Sequence, residues 1–145
     1  MELIKQVLGI DISMDTFICR VGAITADQRT KIGTHKIFNN NIQGIRQFYK
    51  FAQSQQIDGV TQYFLMEATG VYYEGLAYFL KAQGAHVIVV LPNKAKHFAK
   101  TLTIKSKTDP IDAHMLTQMG LEKRLSEWEP PSELTKELKL LTREH

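Results

Sequence analysis

The chain has 145 residues, of which 43% are hydrophobic and 23% are charged. This composition excludes intrinsic disorder and gives one domain with a single core. The net charge of +3 permits a nucleic-acid partner without arguing for one. The single cysteine, Cys19, excludes a disulfide framework and a multi-cysteine zinc site. The longest apolar run, residues 87–91, is too short to span a membrane, and the N-terminus lacks a secretion signal, so we expect a cytoplasmic protein without a membrane partner.

The first third of the chain predicts three strands and a helix. Branched apolar residues dominate residues 3–10 and 16–23, and residues 31–38 alternate between apolar and polar. Short polar turns separate these segments, which is typical of an antiparallel meander. The period then changes, because residues 42–52 are apolar at helical spacing and follow three asparagines, residues 39–41, that can cap a helix.

The middle of the chain predicts alternating strands and helices. We expect strands at residues 62–66 and 86–91, and helices at residues 71–82, 93–100 and 110–121. With the meander, this order predicts an α/β fold of the ribonuclease-H-like (RuvC-like) class, a mixed five-stranded sheet flanked by helices. Actin-like ATPases and sugar kinases begin with the same order, so the fold alone does not choose a function.

The tail of the chain is a separate segment. Residues 128–131, Trp-Glu-Pro-Pro, interrupt the pattern, and Leu134, Leu138 and Leu141 then follow at roughly heptad spacing. We therefore predict a domain over residues 1–125, followed at residues 126–145 by a linker and the start of a coiled-coil-like helix. Because this helix has no terminating residue, we expect the chain to be part of a longer protein. Its leucine stripe resembles the start of a coiled coil, so we expect the longer protein to form homo-oligomers.

Four carboxylates lie at positions where chemistry could need them. Asp11 follows the first strand and Glu67 the fourth, so both would emerge at one edge of the sheet if these strands are neighbours. Asp109 and Asp112 stand three residues apart at the start of the last predicted helix and share one of its faces. Converging carboxylates favour Mg²⁺ or Mn²⁺, and two such ions about 3.5–4 Å apart support phosphodiester cleavage.

Each carboxylate also has a purely structural interpretation. Asp11 could shape the turn after its strand, and Glu67 could stabilise the next helix through its dipole. Residues 108–112, Thr-Asp-Pro-Ile-Asp, form a good helix start with a capping residue, an early proline and acids in the first turn. Spacing alone favours this cap for Asp109 and Asp112.

Three strings around these carboxylates resemble the DEDD-type insertion-sequence transposases, whose N-terminal catalytic domain is RuvC-like. They are Gly-Ile-Asp-Ile-Ser-Met-Asp at residues 9–15, Glu-Ala-Thr-Gly-Val-Tyr at residues 67–72 and Lys-Thr-Asp-Pro-Ile-Asp-Ala at residues 107–113. The resemblance covers residues 7–125. Pilin-gene invertases look similar over the same motifs, so transposition and inversion both stay open.

The resemblance implies that Asp11, Glu67, Asp109 and Asp112 form a catalytic, metal-binding tetrad, in place of the cap favoured above. It implies a metal-dependent DNA transposase or site-specific recombinase that uses Mg²⁺ or Mn²⁺, as two ions, for DNA cleavage and strand transfer. Family members also carry a C-terminal domain with a nucleophilic serine, to which nothing here corresponds, so this chain alone is expected to lack full strand transfer. They are associated with a guide RNA, which joins DNA among the expected partners.

Residues 93–107 contain five lysines and no acid. A phosphate backbone that approaches carboxylates needs such a positive surface, so we predict nucleic-acid contacts from these lysines and from Tyr72. The lysines are Lys94, Lys96, Lys100, Lys105 and Lys107. The alternatives are a solvated surface for the lysines and a core position for the tyrosine.

Two other functions compete with the recombinase. An actin-like ATPase or kinase would share the strand order and the strand-ending Asp11. Its phosphate-binding turn needs glycines soon after the aspartate, and residues 12–15 supply none. A non-catalytic nucleic-acid-binding module would use the basic segment without metal, so binding of Mn²⁺ separates it from the enzyme.

Overall fold

The computed structural model describes residues 2–102 and 111–131. Within these ranges the chain forms six strands and four helices. Their order is β1 (Leu3–Ile12), β2 (Thr16–Thr25), β3 (Thr30–Ile32), β4 (Lys36–Asn39), α1 (Ile42–Gln55), β5 (Thr61–Glu67), α2 (Glu74–Ala82), β6 (His86–Val90), α3 (Pro92–Ala99) and α4 (Ala113–Glu122).

The strands form one mixed sheet in the order β3-β2-β1-β5-β6, and β4 also pairs with β2. β1 is antiparallel to β2 and parallel to β5, and β5 is parallel to β6. The prediction of five strands was wrong by one, because the predicted third strand is split. β3 pairs with the end of β2 and β4 with its beginning, and Gly33, which weakens a strand interior, lies between the two segments.

The two faces of the sheet carry separate cores because successive side chains of a strand point to opposite faces. On one face, Leu8 and Ile10 of β1 are buried together with residues of α1 and α2. On the other face, Val7 of β1 and Leu65 of β5 are buried together with residues of α3 and α4. Both faces are thus covered by helices, as the α/β prediction requires.

α4 lies against β1 at close range because glycines occupy the points of contact. A Cβ atom on Gly9 would lie 2.1 Å from Thr117 Oγ1 and 2.4 Å from the Thr117 backbone nitrogen, and one on Gly120 would lie 2.7 Å from a methyl carbon of Val7. Lys5 Nζ donates to the carbonyl oxygen of Lys123 at 3.1 Å. These contacts show that α4 runs antiparallel to β1, with its first turn beside the carboxyl end of that strand.

Two helices begin later than predicted. α2 begins at Glu74 instead of residue 71, because the chain first makes a turn in which Gly70 has a φ of +61°. α4 begins at Ala113 instead of residue 110, because Asp112 is extended (φ −118°, ψ 177°) and caps the helix. The predicted asparagine cap of α1 is confirmed, since Asn41 Oδ1 accepts from the Gly44 N–H at 2.8 Å.

After α4 the chain returns to β6, at the edge of the sheet. The Trp128 N–H donates to the Val87 carbonyl oxygen at 2.7 Å, and the Trp128 ring meets Tyr78 edge-on with 5.0 Å between ring centroids. His86 Nδ1 lies 2.9 Å from Glu127 Oε1. The leucines between residues 134 and 141 lie outside the described residues. None of the helices described above has the length and apolarity to cross a membrane.

Candidate active site

Asp11 and Glu67 leave the sheet side by side. In the parallel pairing of β1 with β5, Ile10 lies opposite Met66, so the two acids follow at matching positions. Leu65, two residues before Glu67, packs on the face covered by α3 and α4, and strand alternation places Asp11 and Glu67 on that face. The predicted convergence of the two strand-ending acids is therefore present in the fold.

Asp112 approaches the same place from α4. Its Oδ1 accepts a hydrogen bond from the Met115 N–H at 2.8 Å, which caps the helix. The sequence predicted Asp112 within the first turn of this helix, whereas Asp112 is its capping residue and the helix starts after it. Asp112 also lies close enough to Asp11 to repel its carboxylate. Asp109 lies outside the described residues.

The three carboxylates affect one another electrostatically. Burial raises the pKa of Asp11, and repulsion from Asp112 raises it further. Burial also raises the pKa of Glu67; a hydrogen bond from Thr69 lowers it, Asp11 raises it and Lys96 lowers it, in that order of size. A divalent cation would relieve both the desolvation and the repulsion of the ionised forms.

The chemistry of the donors suits Mg²⁺ or Mn²⁺, because carboxylate oxygens are the ligands that these ions prefer. Within residues 2–102 and 111–131, however, no group of three or more His, Cys, Asp or Glu side chains is arranged to hold a metal ion. The described carboxylates therefore have the donor atoms that such an ion prefers, and they lie at the same edge of the sheet. They do not form a complete set of ligands by themselves.

The described lysines of the predicted basic segment have different surroundings. Lys96 lies close enough to Glu67 to lower the pKa of that acid. Lys94 instead lines a hollow of about 270 Å³ between α3 and the end of α4. Lys100 is exposed just after α3, and Lys105 and Lys107 lie outside the described residues. Side chains two positions apart on a helix point in different directions, which explains why Lys94 and Lys96 separate.

A residue that the sequence analysis missed connects the loops at this edge of the sheet. Asn40 Nδ2 donates to the carbonyl oxygens of Ser13, at 2.9 Å, and Tyr72, at 3.0 Å. It thereby ties the turn after Asp11 to the turn after Glu67. Tyr72 itself is 46% exposed in this turn, and its contact with nucleic acid stays a prediction. The run of three asparagines signalled a helix cap, and nothing local distinguishes Asn40 as a bridge.

A family model described as a transposase matches residues 8–145. The chain belongs to the DEDD transposase family. Over 130 residues this transposase-family chain is 33% identical to the pilin gene-inverting proteins of Moraxella bovis and Moraxella lacunata. Those alignments cover 89% of the chain and 38% of each relative, so the chain spans little more than a third of their length. The resemblance found in the motifs is confirmed.

Solved structures share the fold of this transposase-family chain. Thermus thermophilus RuvC in complex with a Holliday junction substrate has a TM-score of 0.53 at 12% identity, over 80% of the chain and 90% of RuvC. The Holliday junction resolvase of fowlpox virus has a TM-score of 0.52 at 13% identity, over 81% of the chain and 98% of the resolvase. At such identities the likeness concerns the fold alone, and it confirms the ribonuclease-H-like prediction.

Proposed function

We propose that the chain is the catalytic domain of a DNA recombinase that cleaves and rejoins phosphodiester bonds at the edge where β1 and β5 end. The observation that carries this proposal is the placement of Asp11 and Glu67 on one face of adjacent parallel strands, with Asp112 at the start of α4 beside them. Membership of a transposase family favours this function over an actin-like ATPase or kinase.

Asp11, Glu67, Asp109 and Asp112 would hold Mg²⁺ or Mn²⁺, as two ions. When bound, such ions activate an attacking oxygen and stabilise the leaving oxygen of the phosphodiester. The protein contributes rigidity: the cap by Asp112 and the contact of Gly9 with Thr117 orient the first turn of α4 against β1. Lys96 beside Glu67 adds positive charge where the scissile phosphate would enter.

DNA is the proposed substrate, and Tyr72 and the lysines after β6 are its proposed contacts. The relatives that match most of this chain are named as pilin gene-inverting proteins, which supports recombination of DNA by the whole protein. A guide RNA and a second copy of the chain are further proposed partners, on the basis of the resemblance. Lysines that contact phosphate carry no sequence information, so the choice of target would rest on such partners.

The experiment compares Asp11→Asn and Asp112→Asn with Asp58→Asn in the full-length protein. Asp58 is an exposed carboxylate in the turn before β5, at the opposite end of the sheet. We expect Mn²⁺-dependent nicking of supercoiled plasmid DNA to fall at least about 100-fold in the first two variants and to stay unchanged in the third. Calorimetry should show weaker binding of Mn²⁺ in the same two variants.

Nicking at the wild-type rate by Asp11→Asn would overturn the assignment. A folded wild-type protein that binds DNA but neither binds Mn²⁺ nor nicks the plasmid would instead indicate the non-catalytic nucleic-acid-binding module.

A further inference from the structure

A second positively charged surface lies at the far end of α4 from the carboxylates. The hollow of about 270 Å³ that contains Lys94 is also lined by His97, Lys123 and Arg124. Buried apolar residues of α3 and α4 form its floor, and no acidic residue is among the described residues that line it. We name Lys94, Lys123 and Arg124 the α3/α4 cation cluster.

The α3/α4 cation cluster forms no ion pair within residues 2–102 and 111–131, although Glu122 lines the adjoining hollow together with Lys5, Lys123 and Arg124. The ion pairs found there join Arg29 to Asp27 and His86 to Glu127, so neither involves the cluster. Lys5 brings a further positive charge to its border, because its ammonium group donates to the Lys123 carbonyl oxygen. Burial lowers the pKa of Lys5, and repulsion from Arg124 lowers it further. An anion placed here would relieve this repulsion.

The distance from the acids separates this surface from the proposed cleavage site. Asp112 caps the first turn of α4 and Lys123 follows its last residue, and the helix has 10 residues. At 1.5 Å per residue the two ends lie about 15 Å apart. Successive phosphates advance by about 3.4 Å along one strand of a duplex, so this length corresponds to about four or five nucleotides. Lys123 and Arg124 are therefore too far from Asp112 to contact a phosphate held at the carboxylates.

We propose that the α3/α4 cation cluster binds the sugar-phosphate backbone of a nucleic acid at a point separate from the cleavage site. Arg124 can grip two phosphate oxygens with its planar guanidinium, while Lys94 and Lys123 act as point charges. The shared chemistry is the phosphodiester, which either the substrate DNA or an RNA partner can supply. The inference rests on the nucleic-acid partner of the proposed function and does not depend on cleavage.

The test is binding by the full-length Asp11→Asn protein in EDTA, where cleavage cannot contribute. Lys123→Glu with Arg124→Glu is compared with Arg46→Glu with Lys50→Glu, an equal change of charge on exposed residues of α1, across the sheet. The probes are a fluorescein-labelled DNA duplex of about 30 base pairs and an RNA hairpin of similar length, followed by anisotropy. Losing two phosphate contacts should lower the slope of log affinity against log salt concentration by about 2. The factor by which affinity falls between 50 and 200 mM salt should then be about tenfold smaller than in the parent protein.

Each outcome decides the proposal. Weaker binding of the duplex alone, of the RNA alone or of both supports a phosphate surface and identifies its source. Equal losses in the α1 control, or unchanged binding of both probes, would overturn it. Lys94→Gln with Arg124→Gln, which only neutralises charge, serves if the double reversal does not fold and should lower the slope in the same direction. Failure of the cleavage proposal would appear as wild-type nicking by Asp11→Asn, whereas failure of this proposal would appear as unchanged binding in EDTA.

Discussion

We expect replacement of Gly9 by alanine to damage both stability and activity, because Gly9 is where α4 meets β1. The new Cβ would lie 2.1 Å from Thr117 Oγ1, 2.4 Å from the Thr117 nitrogen and 2.7 Å from the Ala113 carbonyl oxygen. Two of these three atoms belong to the helix backbone. Since an ordinary contact begins near 3.4 Å, the first turns of α4 must move away from β1 by about 1 Å.

Two magnitudes follow from this displacement. Overpacking of this kind costs about 1–3 kcal/mol, and the presence of backbone atoms places Gly9→Ala at the upper end, near 3 kcal/mol. A misplacement of about 1 Å at a reacting centre lowers a rate about 100-fold. Because Asp112 caps the helix that moves, we expect the remaining folded protein to nick plasmid DNA about 100-fold more slowly than wild type.

The assay combines urea unfolding with Mn²⁺-dependent nicking. Gly75→Ala, in α2, is the matched control: its Cβ would lie 3.8 Å from Ile45 Cδ1, an ordinary contact, and alanine favours the helix. Adding Thr117→Ala to Gly9→Ala removes the hydroxyl contact but not those with backbone atoms, so it should not restore activity. Wild-type stability and nicking in Gly9→Ala, or full rescue by Thr117→Ala, would refute the proposed rigid contact between α4 and β1.

Three further outcomes are expected. Asp112→Ala should lower the free energy of unfolding by about 1 kcal/mol through loss of the α4 cap, whereas Asp112→Asn keeps that stability and loses Mn²⁺ binding; urea titration and calorimetry measure the two effects. The raised pKa of Asp11 means that the folded state keeps its proton to higher pH than the unfolded state, so its contribution to stability falls as pH rises above the ordinary value of about 4; Asp11→Asn should flatten this dependence in thermal melts. Asn40→Ala should lower the free energy of unfolding by about 2 kcal/mol through loss of two hydrogen bonds, and should speed hydrogen exchange in the turns after Asp11 and Glu67.

These expectations fail in distinct ways. Equal stability losses in Asp112→Ala and Asp112→Asn would show that the cap is not the source of the effect. A pH dependence of melting that is the same in Asp11→Asn as in wild type would contradict the buried, repelled carboxylate. Unchanged exchange in both turns of Asn40→Ala would show that they are held without this side chain.

The sequence was sufficient for the order of strands and helices along the chain, apart from the split third strand, and for placing Asp11 and Glu67 at the ends of strands. The apolar pattern of β1, the asparagine cap of α1 and the acids at strand ends are local signals. General rules for how strands and helices are connected then give the fold class. The helical spacing of Lys94 and Lys96 also held usable information, since residues two apart on a helix do not share a face.

The start of α4 could not be predicted because two sets of local signals compete. Thr108 and Pro110 are good residues for a helix start, and Asp112 is equally good three positions later. The contact with β1 ties Thr117 to Gly9, more than a hundred residues earlier in the chain. No window of the sequence contains both partners of that contact. The approach of Lys94 to Lys123 and Arg124 is invisible locally for the same reason.

α4 connects the two proposed contacts with nucleic acid. The small net charge of the chain is a sum over a negatively charged site at one end of this helix and a positively charged one at the other. Asp112 lies at one end of the helix, and Lys123 and Arg124 lie at the other. Since Gly9 and Gly120 allow the helix to lie directly against β1, neither end can shift without disturbing the core. A nucleic acid bound at the cation cluster and at the carboxylates would be positioned before reaction, which lowers the entropic part of the barrier. Variants that insert a residue into α4 should therefore lose nicking more than binding.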